Sequence, residues 1–206
     1  MKFIEYMKGE FAEKAVEFIV CTGLWKQNMT AVEIANAVNV QMEQVKEETL
    51  EYLTAYGTND TVEKVDGIID MHFTTANFEF MVAHLTKSVS EHPEYEEIFE
   101  AHLNGELLDF LGAIVPQAFA LPKNVSEDVL LASAQLVIEN NSLKYTNSKE
   151  VIDSWKFEDG IHVVETVVGG VTWYCLKDGN GKVRKHRDFK KVEIDQIIKR
   201  LRGDNE

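Results

Sequence analysis

The sequence predicts an α+β protein, with a mainly helical N-terminal part followed by a small antiparallel β-meander and a C-terminal helix. In the first part, apolar residues recur at three- and four-residue spacing, as on one face of a helix. After residue 150, short β-rich runs alternate with glycine-containing turns. A chain of 206 residues with 45% hydrophobic content is long enough to bury a core. We therefore place two domains, at residues 1–150 and 151–206.

The charge distribution supports this division. Residues 1–150 contain 10 lysines, no arginine and 25 acidic residues, a net charge of −15. Residues 151–206 contain 11 basic and 10 acidic residues, a net charge of +1. An acidic surface repels phosphate, whereas a local basic cluster attracts it, so this asymmetry predicts two modules with different electrostatic roles. The alternative is an acidic protein with an ordinary basic tail.

Three helices are predicted in the first 57 residues. The first carries one apolar face from Phe3 to Trp25. Thr30, with Glu33 three residues later, forms the capping-box pattern for a second helix that ends at Val38. Asn39 tolerates the left-handed conformation of a tight turn. A third helix is then predicted from Met42 to Tyr56, ending near Gly57.

This order of elements resembles a winged helix-turn-helix over about the first 80 residues. Val38-Asn39-Val40 matches the turn, and Val65–Ile69 with His72–Thr75 matches a wing hairpin followed by a capped helix. The order is also similar to the N-terminal dimerisation domain of class I O-methyltransferases, which implies a winged helix used for subunit contact. The sequence lacks the strand, glycine-rich turn and acidic ribose-binding residue of the matching catalytic domain.

The helix that would enter a DNA groove is acidic. It offers Lys46 against four glutamates, Glu43, Glu47, Glu48 and Glu51. Affinity for DNA comes largely from basic side chains that displace counterions from phosphate, so this composition argues against DNA recognition by the helix. The four glutamates are instead predicted to contact a basic protein partner, with a solvated surface as the alternative.

Further helices are indicated between Glu91 and Leu121, and from Ser126 to about Glu139, where acidic residues follow a serine cap. Residues 145–150 are predicted to be a short connection. The C-terminal module is then expected to form strands at 155–158, 161–168, 171–177 and 182–186, because Gly, Asn and Asp between them supply hairpin turns. A short amphipathic helix over Ile194–Leu201 would cover one face of this sheet.

The last 23 residues contain all four arginines of the chain together with several lysines. Charge beside aromatic side chains is what single-stranded nucleic acid requires, so this segment is a candidate nucleic-acid contact. Docking onto a protein or onto the acidic N-terminal part, and a solvated face, are the alternatives. The candidate residues are Arg184, Lys185, Arg187, Lys190, Lys191, Lys199, Arg200 and Arg202.

No pattern in the sequence indicates catalysis, a metal site or a cofactor. The six histidines show no H-x-x-x-H or E-x-x-H spacing, and Asp178–Lys182 fits a hairpin turn better than a calcium loop. Cys21 and Cys175 are expected to be buried free thiols. With no apolar run of membrane-spanning length, a cytoplasmic protein outside the membrane is predicted.

These observations favour a non-catalytic regulatory or inhibitory protein that acts by protein–protein interaction on a nucleic-acid-handling machine. One alternative is a winged-helix transcription regulator that contacts nucleic acid through its basic C-terminal module. Another is a methyltransferase-like dimerisation module, and the sequence leaves a homodimer open.

Overall fold

The computed structural model confirms the α+β class. It describes residues 2–58, 60–92, 96–97, 109, 112, 121–122, 125–190, 194, 196 and 199. Seven helical segments and four strands with defined bounds follow in chain order: α1 (Phe3–Tyr6), a π-helical turn (Met7–Phe11), α2 (Ala12–Cys21), α3 (Ala31–Tyr56), α4 (Thr61–Glu91), α5 (Glu127–Ser142), β1 (Tyr145–Thr146), α6 (Lys149–Ser154), β2 (His162–Val168), β3 (Val171–Lys177) and β4 (Val183–Arg184).

The first helical segments form the centre of the core, as their spacing predicts. The predicted apolar face is buried along its whole length, from Phe3, which is fully buried, to Trp25, which follows α2. Edge-to-face contacts link Phe11 and Phe18 to Phe73 of α4, with ring centroids 6.2 and 5.5 Å apart. These aromatic contacts hold α2 against α4.

Helix α3 is continuous, so the turn predicted at Val38–Val40 is wrong. The capping box is confirmed, because the Thr30 hydroxyl accepts from the backbone N–H of Glu33 and the Glu33 side chain returns to Thr30. The helix then runs to Tyr56 and is capped by Gly57. Its buried residues form one uninterrupted stripe at helical spacing, and this packing overrides the turn preference of Asn39. They are Ala31, Ile34, Ala35, Val38, Gln41, Met42, Val45, Thr49 and Tyr52.

The wing hairpin predicted over 65–75 is also wrong, because this stretch lies inside α4. Asp60 caps the helix by accepting from the backbone N–H groups of Val62 and Glu63. Gly67, which suggested a turn, lies instead where α4 crosses α3. A Cβ atom at Gly67 would lie 3.1 Å from the Cα atom of Tyr52, so this glycine permits a close approach of two long helices.

Helix α5 confirms the prediction from the Ser126 cap, since the Ser126 hydroxyl accepts from the backbone N–H of Val129. Most of the acidic helical stretch predicted between Glu91 and Leu121 lies outside the described residues. At the far end of the chain, Ile194, Gln196 and Lys199 are helical, whereas the rest of the predicted C-terminal helix lies outside the described residues.

The sheet is four-stranded and antiparallel, but it is not a simple meander. β2 and β3 form the predicted hairpin, with Val168 opposite Val171 at the turn and His162 opposite Lys177 at the other end. Because β2 occupies one edge of β3, β1 and β4 share the other edge, where Tyr145 pairs with Cys175 and Arg184 with Leu176. The strand predicted at 182–186 is shorter, at Val183–Arg184.

The prediction of a strand at 155–158 is wrong, as is that of a simple connection at 145–150. Residues 155–158 are irregular, and β1 takes the predicted strand's place in the sheet. Helix α6 follows β1, capped by the Ser148 hydroxyl, and places the Lys149 ammonium 5.6 Å from the ring centroid of Tyr174. A strand before the proposed boundary at residue 150 therefore belongs to the same sheet as the strands after it.

One face of the sheet packs against the helices. Residues directly opposite in β2 and β3 share a face, and on the inner face the thiol of Cys175 lies 3.6 Å from the carbonyl oxygen of Thr22. Tyr145 and Ile194 belong to the same buried cluster as the helical residues. The inner face of the sheet and the helices consequently share one hydrophobic core.

Candidate functional site

The predicted acidic residues lie on α3 and meet further carboxylates on α4. Glu43, Glu47 and Glu51 are exposed and recur every four residues, so they line one side of the helix. The Lys46 ammonium lies 3.7 Å from a Glu43 carboxylate oxygen, an exposed pair that neutralises only the first of them. We call the surface formed by Glu43, Glu47, Glu48, Glu51, Asp66 and Asp70 the acidic face.

Glu48 differs from the other three predicted glutamates because it is partly buried against α4. Burial, with a smaller contribution from the charges of Asp70, Glu51, Glu47 and Asp66, raises the pKa of its carboxyl group to about 8. At neutral pH the Glu48 carboxyl group is therefore largely protonated and can donate a hydrogen bond. Burial against α4 and the neighbouring carboxylates together thus keep one member of the acidic face neutral.

This arrangement predicts a pH-dependent stability that Glu48→Gln removes. The folded-state pKa lies above the ordinary value of 4.5, so wild-type stability falls as the pH rises from 4.5 through about 8. Glutamine cannot ionise, so the stability of the variant does not fall for this reason. We expect the variant to match the wild type near pH 4 and to be more stable above pH 8 by roughly 1–2 kcal/mol, a figure reduced for the carboxyl group's partial exposure.

Urea unfolding across this pH range measures the difference. Glu63→Gln, at an exposed position on α4, is the matched control and is expected to follow the wild-type curve. Parallel pH curves for Glu48→Gln and the wild type would show that Glu48 ionises normally in the folded protein.

Beside Glu48 lies a cleft of about 590 Å³ that we call the interhelical cleft. Helices α2 to α5 form most of its wall, and the β3–β4 hairpin closes one side. Its apolar wall includes Phe18, Phe73 and Met81. Its polar lining comprises Asn36, Gln41, Gln44, Glu47, Glu48, Asp70, Thr74, Asn77, Asn141, Lys144, Lys177, Asn180 and Lys182.

Sequence reasoning missed two polar residues of this cleft. Lys177, at the end of β3, is only 9% exposed, and burial lowers the pKa of its ammonium group. Asn77 on α4 is 2% exposed, and its Oδ1 atom has no hydrogen-bond partner among the described residues. Strand alternation from Cys175 would have placed the Lys177 side chain on the inner face of the sheet, which was the available signal.

The basic residues before position 191 form an exposed group next to the sheet. Lys185, Arg187 and Lys190 are exposed, whereas Arg184 donates from Nε and Nη2 to Oδ2 of Asp178 at 2.7 and 2.6 Å. The Asp178 carboxylate therefore neutralises most of the charge of Arg184. Of the other predicted basic residues, Lys199 is exposed, and Lys191, Arg200 and Arg202 lie outside the described residues.

Aromatic groups accompany this basic group. The rings of Trp155 and His186 stack with centroids 4.8 Å apart and planes inclined by 21°. The Lys185 ammonium lies 5.1 Å from the ring centroid of Phe189. Flat side chains beside Lys185 and Arg187 are therefore present, but they already contact protein groups.

Catalytic and metal chemistry find little support in this arrangement. Cys21 and Cys175 are buried free thiols, as predicted, and burial raises the pKa of Cys21 to about 11, which makes it a poor nucleophile. Within the described ranges, histidine, cysteine and acidic side chains form no group of three suited to a metal ion. In that same part of the chain, every helix is too short or too polar to cross a membrane.

No protein-family model, curated protein or solved structure matches this chain. Its function is therefore inferred from its own residues and their arrangement.

Proposed function

We propose that this chain is a non-catalytic regulatory or inhibitory protein that binds a basic protein partner through the acidic face. The observation that carries the proposal is the crowding of carboxylates on adjoining sides of α3 and α4, which adds to the effect of burial in raising the pKa of Glu48. A surface that served only to stay hydrated would gain from spreading these charges or from pairing them. An unfavourable arrangement of charges that is concentrated at one location is typical of a functional surface.

A basic partner would relieve this repulsion. Its lysines and arginines would approach the exposed carboxylates of Glu43, Glu47 and Glu51, attracted over a distance by the net negative charge of the chain. Two copies of the acidic face would repel each other, which disfavours a homodimer formed through it. The partner we propose belongs to a nucleic-acid-handling machine, because a surface built to hold phosphate also offers the positive charge that these carboxylates need.

Neutralising the exposed members of the acidic face is expected to weaken partner binding on the order of tenfold, mainly by slowing association. The test variant carries Glu43→Gln, Glu47→Gln and Glu51→Gln. A matched control carries Glu13→Gln, Glu150→Gln and Glu158→Gln, which change the net charge equally at exposed positions elsewhere. Both variants and the wild type are used to capture partners from lysate of the source cells, with and without nuclease.

The proposal predicts a protein that survives nuclease, binds the control variant normally and is lost with the test variant; its affinity and association rate are then measured with purified components. Equal loss of the partner protein with the two variants would show that only net charge matters. A partner that is no longer recovered after nuclease treatment would instead support nucleic-acid binding as the function.

Nucleic-acid binding by the basic C-terminal residues is the second candidate, as in a transcription regulator. It is favoured by the exposure of Lys185, Arg187 and Lys190 near the Trp155–His186 stack. Purified protein titrated with single-stranded and duplex DNA distinguishes the two candidates. A steep salt dependence that falls when these three residues become alanine would support nucleic-acid binding and count against the first proposal.

The proposed setting is the cytoplasm, since two buried free thiols suit a reducing compartment.

A further inference from the structure

The interhelical cleft is lined by charged groups of both signs. Lys177 lines the cleft from β3, and Glu47, Glu48 and Asp70 line it from α3 and α4. Lys177 makes no ion pair or side-chain hydrogen bond among the described residues, and no carboxylate affects its pKa appreciably. The Lys177 ammonium group therefore faces the cleft without a nearby carboxylate.

The Lys177 side chain is largely buried, and its ammonium group has no counter-charge among the described residues. Lys177 is 9% exposed, and its position on the inner face of the sheet keeps the side chain directed toward the cleft. Burying a charge without a counter-charge opposes folding unless something else compensates it. An anionic group bound in the cleft would supply that compensation.

The wall of the cleft suits a polar ligand with an apolar body. Asn77 Oδ1 has no hydrogen-bond partner there, so it is free to accept from a ligand N–H group. The neighbouring amide of Gln41 is already committed, because its Nε2 atom donates to the carbonyl oxygen of Thr74 at 3.0 Å. Phe18 and Phe73 provide apolar contacts along the same wall.

We propose that the interhelical cleft binds a small zwitterion whose carboxylate and cationic group are separated, of the class of a free basic amino acid. The carboxylate of the ligand pairs with Lys177, its N–H groups reach Asn77, and its cationic end lies among Glu47, Glu48 and Asp70. The proposal shares Glu47, Glu48 and Asp70 with the acidic face, but it also needs Lys177 and Asn77, which lie outside that face. It can therefore fail while partner binding stands.

The test uses three probes that share a carbon chain. L-arginine carries both charged ends, agmatine lacks the carboxylate, and L-citrulline lacks the side-chain cation. Titration calorimetry at neutral pH and low salt is expected to show saturable binding of L-arginine at millimolar concentration or below, with agmatine and L-citrulline at least about tenfold weaker. Equal affinities for the three probes, or no saturable binding of L-arginine, would overturn the proposal.

Variants test which residues bind each end of the ligand. Lys177→Met should reduce L-arginine affinity to the agmatine level while leaving agmatine itself unchanged. Glu47→Gln with Glu48→Gln should remove the preference for L-arginine over L-citrulline. Lys190→Met, at an exposed lysine outside the cleft, is the matched control and should bind like the wild type.

Misfolding does not account for the expected pattern, because Lys177→Met removes an uncompensated charge and keeps the apolar stem. Its thermal unfolding midpoint without ligand should equal or exceed that of the wild type. Unchanged L-arginine affinity in a folded Lys177→Met variant would show that Lys177 does not hold the carboxylate and would overturn the assignment.

Discussion

Replacing Gly23 with alanine is expected to destabilise the protein by about 3 kcal/mol, one of the two largest effects we predict. Gly23 follows α2 with φ of +68°, a left-handed conformation that costs an alanine about 1–2 kcal/mol. A Cβ atom there would also lie 2.4 Å from the Thr166 hydroxyl oxygen on β2. Threonine is stiff about χ1, so relief requires a less favourable rotamer or a shift of the strand.

Urea unfolding at neutral pH measures this loss, and two further variants separate its causes. Gly160→Ala has the same conformational strain, with φ of +84°, but its Cβ atom would meet no atom within 4 Å. It should cost only about 1–2 kcal/mol. Adding Thr166→Ala to Gly23→Ala should recover the steric part. Equal losses at Gly23 and Gly160 would contradict the close contact.

The Gly23 contact also matters for the interhelical cleft. It sets how closely β2 approaches the end of α2, and β2 is paired along its whole length with β3, which carries Lys177. Gly23 itself lines the cleft. A variant that pushes the sheet away should therefore weaken L-arginine binding together with stability, whereas Gly160→Ala should lower stability without weakening that binding.

Local signals predicted two of the helix starts correctly. The Thr30–Glu33 capping box and the Ser126 cap are properties of a few consecutive residues, and both helices begin where these residues predict. The β2–β3 hairpin followed in the same way from Gly169-Gly170, which both have positive φ in the structure. Such features depend little on the rest of the chain.

The predictions failed where distant packing decides the structure. Asn39 and Gly67 both favour turns in isolation, but each lies inside a long helix whose buried stripe packs against the other. The pairing of β1 with β3 joins residues about thirty positions apart, and Tyr145–Thr146 is too short to show a strand pattern. Tertiary contacts of this kind cannot be read from local propensity.

The acidic face and the interhelical cleft also differ in how much of each could be predicted from local sequence. Composition alone identified the exposed glutamates of α3, but only the crossing of α3 over α4 separates Glu48 from Glu47 and brings Asp70 near it. Lys177 and Asn77 lie a hundred residues apart in sequence and line the same cleft only because the chain folds back on itself. The cleft is therefore a property of the fold, whereas the acidic face is largely a property of the composition.

The second large effect is expected at the helix crossing. Gly67→Leu should destabilise the protein by about 3 kcal/mol, because even a Cβ atom there lies 3.1 and 3.2 Å from Cα and Cβ of Tyr52, a residue that is 1% exposed. The better helix propensity of leucine offsets part of this cost, by less than about 1 kcal/mol. Chemical denaturation measures the difference between variant and wild type.

Gly57→Leu is the matched control for the Gly67 variant. Gly57 caps α3 at an exposed position with an ordinary helical φ of −73°, so the larger side chain should change stability by no more than about 0.5 kcal/mol. Similar losses at the two glycines would show that the helices can separate without cost.

The Gly67→Leu variant also tests what raises the pKa of Glu48. If α3 and α4 are forced apart, Glu48 gains water and moves away from Asp66 and Asp70, so its pKa should fall toward the ordinary value of 4.5. The loss of stability between pH 4.5 and 8 should then shrink in Gly67→Leu, and adding Glu48→Gln should have little further effect. An unchanged pH dependence would mean that the charges on α3 itself, Glu47 and Glu51, are sufficient to keep Glu48 protonated.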